Sequence, residues 1–313
     1  MDPITHVVIG AGIYALSGGD LSLAQPTFLG CVAGSLIPDI DIVAKVRNDY
    51  YYLKHHRGSS HSLGGIIFLS IIVTAATALL YGGIDFLPVF AWAFAGAFMH
   101  VFLDIMNSYG AQILWPLSRK KYSFSLLGIF DVIVLVLGVA AILFGRGMMG
   151  VKAAIVAAFC LYILALGIMR ALAWRRISSY FKGRVEQSSI KVLPSPAGFL
   201  VWDFIIMSQR HSTVGKVHLA GKKVVIVSRL RRLQDKEKEK FMDNRAAYFF
   251  REFTPFYHVR VKKNKDFTKV VYTDLRYRLK NGFKHHATAV FNSSGALVEC
   301  IFHPFSIKRR VRF

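Results

Sequence analysis

Two ionisable side chains in a strongly apolar stretch, His100 and Asp104, are the residues of this sequence best placed to do chemistry. They lie four residues apart in FAGAFMHVFLDIMN. On an α-helix this spacing puts both side chains on one face, about 5–6 Å apart at Cβ. Ionisable groups at membrane depth are costly and usually functional. Because imidazole and carboxylate are common ligands of zinc-type cations, the pair predicts a membrane-embedded metal site.

Other histidines and acids of the N-terminal half lie in equally apolar surroundings. Asp39 and Asp41 follow Pro38 in LIPDIDIV, and His6 lies in ITHVVIG. Two acids separated by one residue can bind one or two cations or orient a water molecule. We predict that Asp39 is a metal ligand, whereas for Asp41 direct ligation and a bridging or supporting role stay equally open. His6 alone is weak evidence and gains weight from the other motifs.

The segment HHRGSSHS adds two candidate ligands and a candidate anion site. His56 and His61 are five residues apart with a glycine between them, so a loop entering a helix can turn both toward one metal. Arg57 is a natural phosphate clamp, because its guanidinium fork matches two oxygens. His55 is predicted to be a neighbour of the site and not a ligand.

Each motif also has an interpretation without a metal. His100 and Asp104 can form a hydrogen-bonded pair in a bundle core, or an ion or proton relay. The acids after Pro38 suit a helix N-terminus, where the macrodipole favours negative charge. The HHRGSSHS histidines can form a protonatable patch at an interface. Asp131, inside an apolar stretch, can be a ligand, a partner of a ligand or the cap of a helix.

Charge is distributed unevenly along the 313 residues. Residues 1–173 carry 10 Lys and Arg against 8 Asp and Glu, a net charge of +2, whereas residues 174–313 carry 30 against 10, a net charge of +20. We therefore predict a membrane-embedded metal-site domain over 1–175 and a basic cytoplasmic domain over 176–313. A basic domain on a membrane protein is expected to contact anionic lipid headgroups. Nucleic acid is the less favoured partner, although a strongly basic domain also suits it.

Two features of the sequence narrow the class of protein. The three cysteines are far apart and form no CxxC, which argues against a disulfide framework and against a thiolate zinc site. The N-terminus begins MDPITH and has no basic n-region, so no cleavable signal peptide is predicted.

Four apolar segments approach the length of about 20 residues that a bilayer requires. Lys and Arg cluster before the first, between the second and third and after the fourth, so the positive-inside rule places both termini and the 107–124 loop in the cytoplasm. This topology brings HHRGSSHS and the His100–Asp104 pair to the same side of the membrane. The predicted spans are residues 63–82, 86–106, 125–144 and 151–173, with shorter buried or re-entrant helices over 4–17 and 27–37.

From about residue 175 the pattern changes to short β-rich runs separated by turn signals such as NSSG. The run FLVWDFIIM is short and contains Asp203, so it predicts a buried strand and not a fifth span. A helix is predicted over 235–253. The fold class is therefore an all-α polytopic membrane helix bundle, with about four spans plus short buried helices, followed by a small α+β soluble domain with a mainly antiparallel sheet.

The order of the motifs resembles a known family. TH-x3-G at 5–10, PDID at 38–41, HRGSSHS at 56–62 and H-x3-D at 100–104 resemble the YdjM-like inner-membrane proteins, which are predicted to be membrane-bound metal-dependent hydrolases. That family is distantly similar to zinc-dependent phospholipase C and P1 nuclease, which cleave phosphodiesters. A second helical H-x3-E or H-x3-D of those enzymes is missing here, which favours one or two metal ions. The resemblance covers about residues 1–140 and implies the metal ligands His6, Asp39, His56, His61, His100 and Asp104.

We expect a metal-dependent hydrolase of the cell inner membrane that acts on a phosphoester or lipid-like substrate through metal-activated water. The cofactor is expected to be zinc or a similar divalent ion. Asp41 is expected to be a base or an orienting group, and Arg57 to hold a phosphate or another anionic headgroup. Two other functions stay open. One is a transporter that uses the same His/Asp site, and the other is a membrane-anchored regulatory protein whose basic domain binds nucleic acid or lipid.

Overall fold

The structure is a computed structural model that describes residues 1–221, 223–234, 238–279 and 282–312. The chain falls into two compact units, of which the first comprises Met1–Ile42 and His55–Met169 and the second comprises Val43–Lys54 and Arg170–Phe313. One long helix, Met149–Tyr180, contains both the division between these units and the boundary predicted between residues 175 and 176.

Apolar helices make up most of the N-terminal half. Side chains at their first residues satisfy free backbone N–H groups, since Asp2 accepts from Thr5 N and Ser62 accepts from Gly65 N. The helices are α1 Pro3–Leu16, α2 Pro26–Leu36, α3 Asp49–His55, α4 Leu63–Tyr81, α5 Phe86–Met106, α6 Val132–Phe144 and α7 Met149–Tyr180, with 3-10 helices over Ile37–Val46 and Ser59–His61.

Within the described residues, four helical segments are long and apolar enough to cross a membrane, which agrees with the predicted helical fold class. They are Pro26–Val46, Leu63–Tyr81, Phe86–Met106 and Met149–Tyr180. The first of them differs from the prediction for 27–37, because the 3-10 helix continues α2 and gives a segment of 21 residues.

The predicted span 125–144 is shortened in the structure to α6, which has 13 residues. Residues 125–130 are irregular, and the backbone N–H of Leu126 donates to the carbonyl oxygen of Met106 at 2.8 Å. Helix α6 begins only after Asp131, whose carboxylate accepts from the N–H groups of Ile133 and Val134. Hydropathy alone does not separate such an apolar loop from a helix.

Glycines bring α2 and α5 into backbone contact. A methyl group at Gly34 would overlap the carbonyl oxygen of Ala93, and a methyl group at Gly96 would overlap the carbonyl oxygen of Cys31. Close helix contacts in membranes depend on such small residues. As a result, the chain that follows α2 lies beside the part of α5 that carries His100 and Asp104.

Among its described residues, the second unit contains two larger antiparallel sheets and a two-stranded antiparallel pair, Arg278–Leu279 with Gly282–Phe283, which confirms the predicted α+β domain. A four-stranded sheet has the order β1–β2–β3–β4, and a five-stranded sheet has the order β11–β10–β9–β6–β5. The run FLVWDFIIM supplies β2, as predicted. The strands are β1 Ile190–Pro194, β2 Val201–Met207, β3 His211–His218, β4 Lys223–Arg231, β5 Tyr257–Lys263, β6 Phe267–Asp274, β7 Arg278–Leu279, β8 Gly282–Phe283, β9 His286–Asn292, β10 Leu297–His303 and β11 Val311–Arg312.

The helix predicted over 235–253 is shorter in the structure. Helix α8 covers Arg245–Phe253, because the Asn244 side chain accepts from Ala247 N and sets the start of the helix. Before it, Lys238 and Glu239 are helical and residues 240–244 form turns and bends that interrupt the predicted helix, whereas residues 235–237 of the prediction lie outside the described residues. Buried phenylalanines, among them Phe249 and Phe250, face the core of this domain.

Histidine burial gives the C-terminal domain a pH-dependent stability. His285 is fully buried and lies between the rings of Phe253 and Phe305, with ring centroids 5.4 Å away on each side. Burial lowers the pKa of His285 to about 4, from an ordinary value of 6.5. In the unfolded chain this histidine takes up a proton below its ordinary pKa, whereas in the folded domain it stays neutral. Lowering the pH therefore stabilises the unfolded chain relative to the fold.

We predict that Gly34→Ala destabilises the helical unit, because the added methyl group forces α2 away from α5. Overpacking of this kind typically costs about 1–3 kcal/mol. The thermal unfolding midpoint of the detergent-purified protein measures the effect. Gly167→Ala is the matched control, since a methyl group there contacts nothing within 4 Å. Equal midpoints for the two variants would contradict the predicted backbone contact.

We also predict that acid destabilises the C-terminal domain in the window set by His285. Above pH 6.5 the stabilisation is fully present, and it is lost as the pH falls toward about 4, because only the unfolded chain takes up the proton. The loss is up to about 3 kcal/mol for this side chain. Calorimetry of the full-length protein at several pH values should show a weaker pH dependence for His285→Phe than for the wild type. The partly exposed His211 provides the control, and a wild-type slope in His285→Phe would sink the assignment.

Candidate metal centre

The predicted site residues come from four separate segments of the helical unit. His6 lies in α1, and Asp39 and Asp41 lie in the 3-10 helix that continues α2. His56 and Arg57 follow α3, His61 ends the 3-10 turn before α4, and α5 carries His100 and Asp104. The structure brings these segments together, although they are far apart in sequence: His100, whose Nδ1 contacts a carbonyl oxygen, is 65 residues from Ser35, which supplies that oxygen.

Four ligand atoms converge in the most buried part of the site, which we call the inner group: Asp39 Oδ1, His61 Nε2, His100 Nε2 and Asp104 Oδ2. His61 Nε2 lies 3.2 Å from His100 Nε2, 3.4 Å from Asp104 Oδ2 and 3.5 Å from Asp39 Oδ1. His100 Nε2 lies 3.6 Å from Asp39 Oδ1 and 3.7 Å from Asp104 Oδ2. Ligands about 2.0–2.1 Å from a tetrahedral zinc ion are about 3.3–3.4 Å from one another. The inner group therefore has the dimensions of a four-ligand metal site.

Two carboxylate oxygens of the inner group support this interpretation independently. Asp39 Oδ1 and Asp104 Oδ2 are buried atoms without a hydrogen-bond partner among the described residues. A buried unpaired carboxylate oxygen is costly unless a cation or a proton compensates it. Both oxygens face the two imidazole nitrogens, so the residues present fit a divalent cation.

Hydrogen bonds orient the two histidines of the inner group. His100 Nδ1 lies 2.7 Å from the carbonyl oxygen of Ser35. Because a carbonyl can only accept, Nδ1 carries the proton and Nε2 presents its lone pair to the inner group, as metal-binding histidines commonly do. On His61, Nδ1 lies 3.0 Å from Ser60 Oγ, which holds that ring from its other side.

Asp39 also belongs to a second group of three residues, which we call the outer group: Asp39, Asp41 and His56. His56 Nδ1 lies 3.0 and 3.1 Å from the two Asp41 oxygens and 4.0 Å from Asp39 Oδ1. The side chains of His56 and Asp39 are 20% and 21% exposed, whereas those of His61 and Asp104 are at most 1% exposed. The site therefore reaches solvent through the outer group.

His6 lies at the edge of the inner group and not within it. Its ring stacks on His100, with centroids 3.6 Å apart and planes 15° from parallel. His6 Nε2 is 3.6 Å from Asp104 Oδ1 and 2.9 Å from the amino nitrogen of Met1, which also contacts Asp104 Oδ1. His6 therefore faces the oxygen of Asp104 that points away from the four converging atoms.

Arg57 places a guanidinium group inside this buried cluster. Its side chain is 4% exposed, and Nη2 lies 2.8 Å from Asp104 Oδ1. The Tyr109 ring lies 5.5 Å from the guanidinium carbon. Nε and Nη1 have no hydrogen-bond partner among the residues that the structure describes. Arg57 also adopts a left-handed backbone with φ of 61°, and strain of this kind often marks a functional site.

Electrostatics outside the membrane segments follow from the same carboxylates. Burial lowers the pKa of His61, but the nearby carboxylates of Asp104 and Asp39 more than offset it, so the pKa lies above its ordinary value. For His56 burial dominates over the opposing effect of Asp41, and the pKa lies below its ordinary value. The carboxylates therefore favour a proton on His61 in the metal-free site, and a bound cation would compete with that proton.

Four further residues near the site are either not metal ligands or were not predicted from the sequence. His55 is exposed, in line with the prediction that it is a neighbour. Asp131 caps α6 and accepts from Tyr162 Oη at 2.8 Å, which identifies it as a structural residue. Sequence reasoning missed Lys121, which donates to the carbonyl oxygen of His56 at 2.9 Å, and used it only for topology. The contact from the Ser35 backbone has no signal in side-chain types.

Comparisons with known proteins agree with the position of the motifs. The sequence model of the YdjM inner membrane protein family matches residues 1–173, more than half of the chain. The chain belongs to the YdjM family. The resemblance predicted from four motifs is thereby confirmed, and this membership together with the apolar helices identifies a membrane protein.

The similarity extends beyond the YdjM segment. The YfhP C-terminal alpha/beta plait domain matches residues 238–311. The uncharacterized protein YfhP of Bacillus subtilis (strain 168) is 32% identical over 299 residues, which cover 90% of this chain and 89% of the relative. No solved structure matches the chain. This YdjM-family chain thus shares both of its parts with YfhP.

We predict that the purified protein binds about one equivalent of zinc or a similar divalent ion in the inner group. His100→Ala and Asp104→Asn should each lower the bound metal at least about tenfold, because each removes one of the converging atoms. Elemental analysis after equilibration with zinc measures the content. His55→Ala is the matched control, an exposed histidine beside His56.

Binding should also release a proton near neutral pH, because the cation displaces the proton that the carboxylates hold on His61. Titration calorimetry in two buffers of different ionisation enthalpy counts that proton. Wild-type metal content in both His100→Ala and Asp104→Asn would contradict the assignment of the inner group.

Proposed function

We propose that this YdjM-family protein is a membrane-bound, metal-dependent hydrolase that acts on a phosphoester or another anionic, lipid-like substrate. The observation that carries the proposal is that a candidate metal site and a candidate anion-binding group, the guanidinium of Arg57, share one residue, Asp104. Four metal-ligand atoms converge, and two of them are carboxylate oxygens without a hydrogen-bond partner in the part of the chain that the structure describes. Arg57 binds the same Asp104, and two of its nitrogens have no partner among those residues.

Asp39, His61, His100 and Asp104 would hold the metal ion. A divalent ion there supplies a Lewis acid that lowers the pKa of water to near 7 and polarises a phosphoryl oxygen. The tautomer of His100 set by Ser35 and the hydrogen bond between His61 Nδ1 and Ser60 Oγ keep both rings in position for this task.

The role of Arg57 is to receive the anion. One nitrogen of its guanidinium, Nη2, is fixed by Asp104 Oδ1 at 2.8 Å, which holds the plane of the fork in place. The Nε and Nη1 hydrogens have no hydrogen-bond partner among the described residues, so each of these nitrogens can donate to an oxygen of an incoming anion. The Tyr109 ring lies 5.5 Å from the guanidinium carbon, within the range of a cation–π contact.

The outer group is suited to proton transfer at the solvent side. Asp41 accepts from Arg57 N at 3.0 Å and lies at hydrogen-bond distance from His56 Nδ1. This pattern favours the orienting role for Asp41 over that of a base, with His56 as the group that exchanges protons with solvent. Asp39 is shared by both groups and connects the metal position to His56.

The expected location of the substrate follows from the charge distribution. Lys and Arg concentrate around the 107–124 loop and after α7, so we propose that both are cytoplasmic, with α6 and the apolar residues before it returning the chain across the membrane ahead of α7. The C-terminal domain would then contact anionic headgroups of the inner leaflet, and the site would act on membrane-associated esters.

The test is an assay of phosphate ester hydrolysis by the zinc-loaded, detergent-purified protein. The probes are bis(p-nitrophenyl) phosphate and mixed micelles that contain phosphatidylglycerol or phosphatidic acid. His61→Ala should lower kcat/KM by at least about 100-fold. Arg57→Lys should mainly raise KM, because lysine keeps the charge but loses the fork.

His55→Ala provides the control and should keep wild-type rates. Equal rates in His61→Ala, Arg57→Lys and the wild type would refute the proposal. Zinc uptake into proteoliposomes without hydrolysis would instead favour the transporter.

A further inference from the structure

A cavity of about 190 Å³ lies in the C-terminal domain, formed by residues of that domain alone. Met207 at the end of β2 and Arg232 just after β4 contribute from the four-stranded sheet. Tyr257 and His258 at the start of β5 contribute from the five-stranded sheet. The remaining lining residues are Leu233, Lys238, Pro255 and Val259.

The polar lining of this cavity is basic. Arg232 and Lys238 bring two positive charges, and His258 adds an imidazole. Among the lining residues that the structure describes there is no carboxylate. Arg232 is held in place, because Nη1 donates to the carbonyl oxygen of Ser208 at 2.8 Å, and Lys238 Nζ lies 5.3 Å from the Tyr257 ring centroid. The cavity thus concentrates fixed positive charge.

His258 provides an independent indication of a ligand. Its side chain is only 6% exposed, yet Nδ1 has no hydrogen-bond partner among the described residues. A buried polar atom without a partner requires an explanation, such as a bound ion or molecule. Burial, with Arg232 and Arg260 nearby, lowers the pKa of His258 to about 4 in the free protein. An imidazole beside fixed cations is a suitable donor for an incoming anion.

We propose that this cavity is a second anion site, which binds a small phosphate-bearing molecule through Arg232, Lys238 and His258. Pockets for drug-sized ligands typically have volumes of about 300–1,000 Å³. This cavity is smaller, and its volume suits a phosphate with a small organic substituent. The phosphate can come from a soluble phosphomonoester or from a lipid headgroup, because the recognising chemistry is the same. The proposal is independent of the hydrolase activity, since no residue of the metal centre takes part.

The experiment titrates full-length, detergent-purified protein with inorganic phosphate and with glycerol 3-phosphate, and follows binding by calorimetry and thermal stabilisation. A parallel arm uses the protein in nanodiscs with and without phosphatidic acid. The variants are Arg232→Gln, Lys238→Gln and His258→Asn. Arg231→Gln and Lys240→Gln are the matched controls, because each removes one charge at an exposed neighbouring position outside the cavity.

We expect Arg232→Gln and Lys238→Gln to bind phosphate or glycerol 3-phosphate at least tenfold more weakly than their controls. Far-ultraviolet circular dichroism confirms that each variant is folded, and Arg232→Lys should restore part of the affinity. Binding of phosphate or glycerol 3-phosphate identifies a soluble ligand, whereas stabilisation by phosphatidic acid alone identifies a headgroup.

The variants and their controls all keep the residues of the metal centre. Anion binding at that centre is therefore the same in each and does not contribute to the difference between a variant and its control. The same affinity in Arg232→Gln and Arg231→Gln, or no binding in either arm, would overturn the proposal. Loss of hydrolysis in the metal-centre variants leaves this result unaffected, so the two proposals fail separately.

Discussion

The fold of the N-terminal half depends on how it accommodates one carboxylate, Asp104, inside an apolar bundle. An isolated carboxylate in such a place costs several kcal/mol or more, so it requires compensation from directly bonded groups. The two oxygens of Asp104 contact different compensating groups. Oδ1 binds Arg57 at 2.8 Å, and Oδ2 faces the imidazoles of His61 and His100 at 3.4 and 3.7 Å. The loop after α3, the turn before α4 and helix α5 must therefore all meet at this residue.

The packing of α2 on α5 makes that meeting possible. Because Gly34 and Gly96 allow backbone contact, the carbonyl oxygen of Ser35 reaches His100 and fixes its proton on Nδ1. The chain then continues as a 3-10 helix, and its tighter turn carries Asp39 to the inner group and Asp41 to His56 two residues later. The glycine contact, which contains no chemically active group, thus decides which nitrogen of His100 is available as a ligand.

The sequence predicts which residues belong to this centre better than it predicts which of them lie in the inner group, in the outer group or beside them. The i, i+4 spacing of His100 and Asp104 and the compact HHRGSSHS motif are local signals, and the structure brings both motifs into the site. The placement of His6 beside the inner group, and the division into inner and outer groups, depend on tertiary packing. The same limit explains the apolar loop before α6, whose hydropathy resembles that of a helix, and the C-terminal cavity, whose lining comes from strands far apart in sequence. Hydropathy and spacing report burial and local geometry, but they do not report hydrogen bonds between distant segments.

Unpaired acceptors and charge together favour a cation site over a hydrogen-bonded pair. Asp39, Asp41 and Asp104 bring three carboxylates, and the guanidinium of Arg57 and the amino group of Met1 offset at most two of them, so at least one negative charge remains when the histidines are neutral. A His–Asp pair in a core would need only one shared proton and would leave no acceptor unpaired. Here two carboxylate oxygens from different segments have no hydrogen-bond partner among the described residues, and they lie within ligand-to-ligand distance of the same two imidazole nitrogens. A divalent cation at that point satisfies the remaining charge and both unpaired atoms. The composition of the cluster and its geometry therefore favour the same kind of ligand for independent reasons.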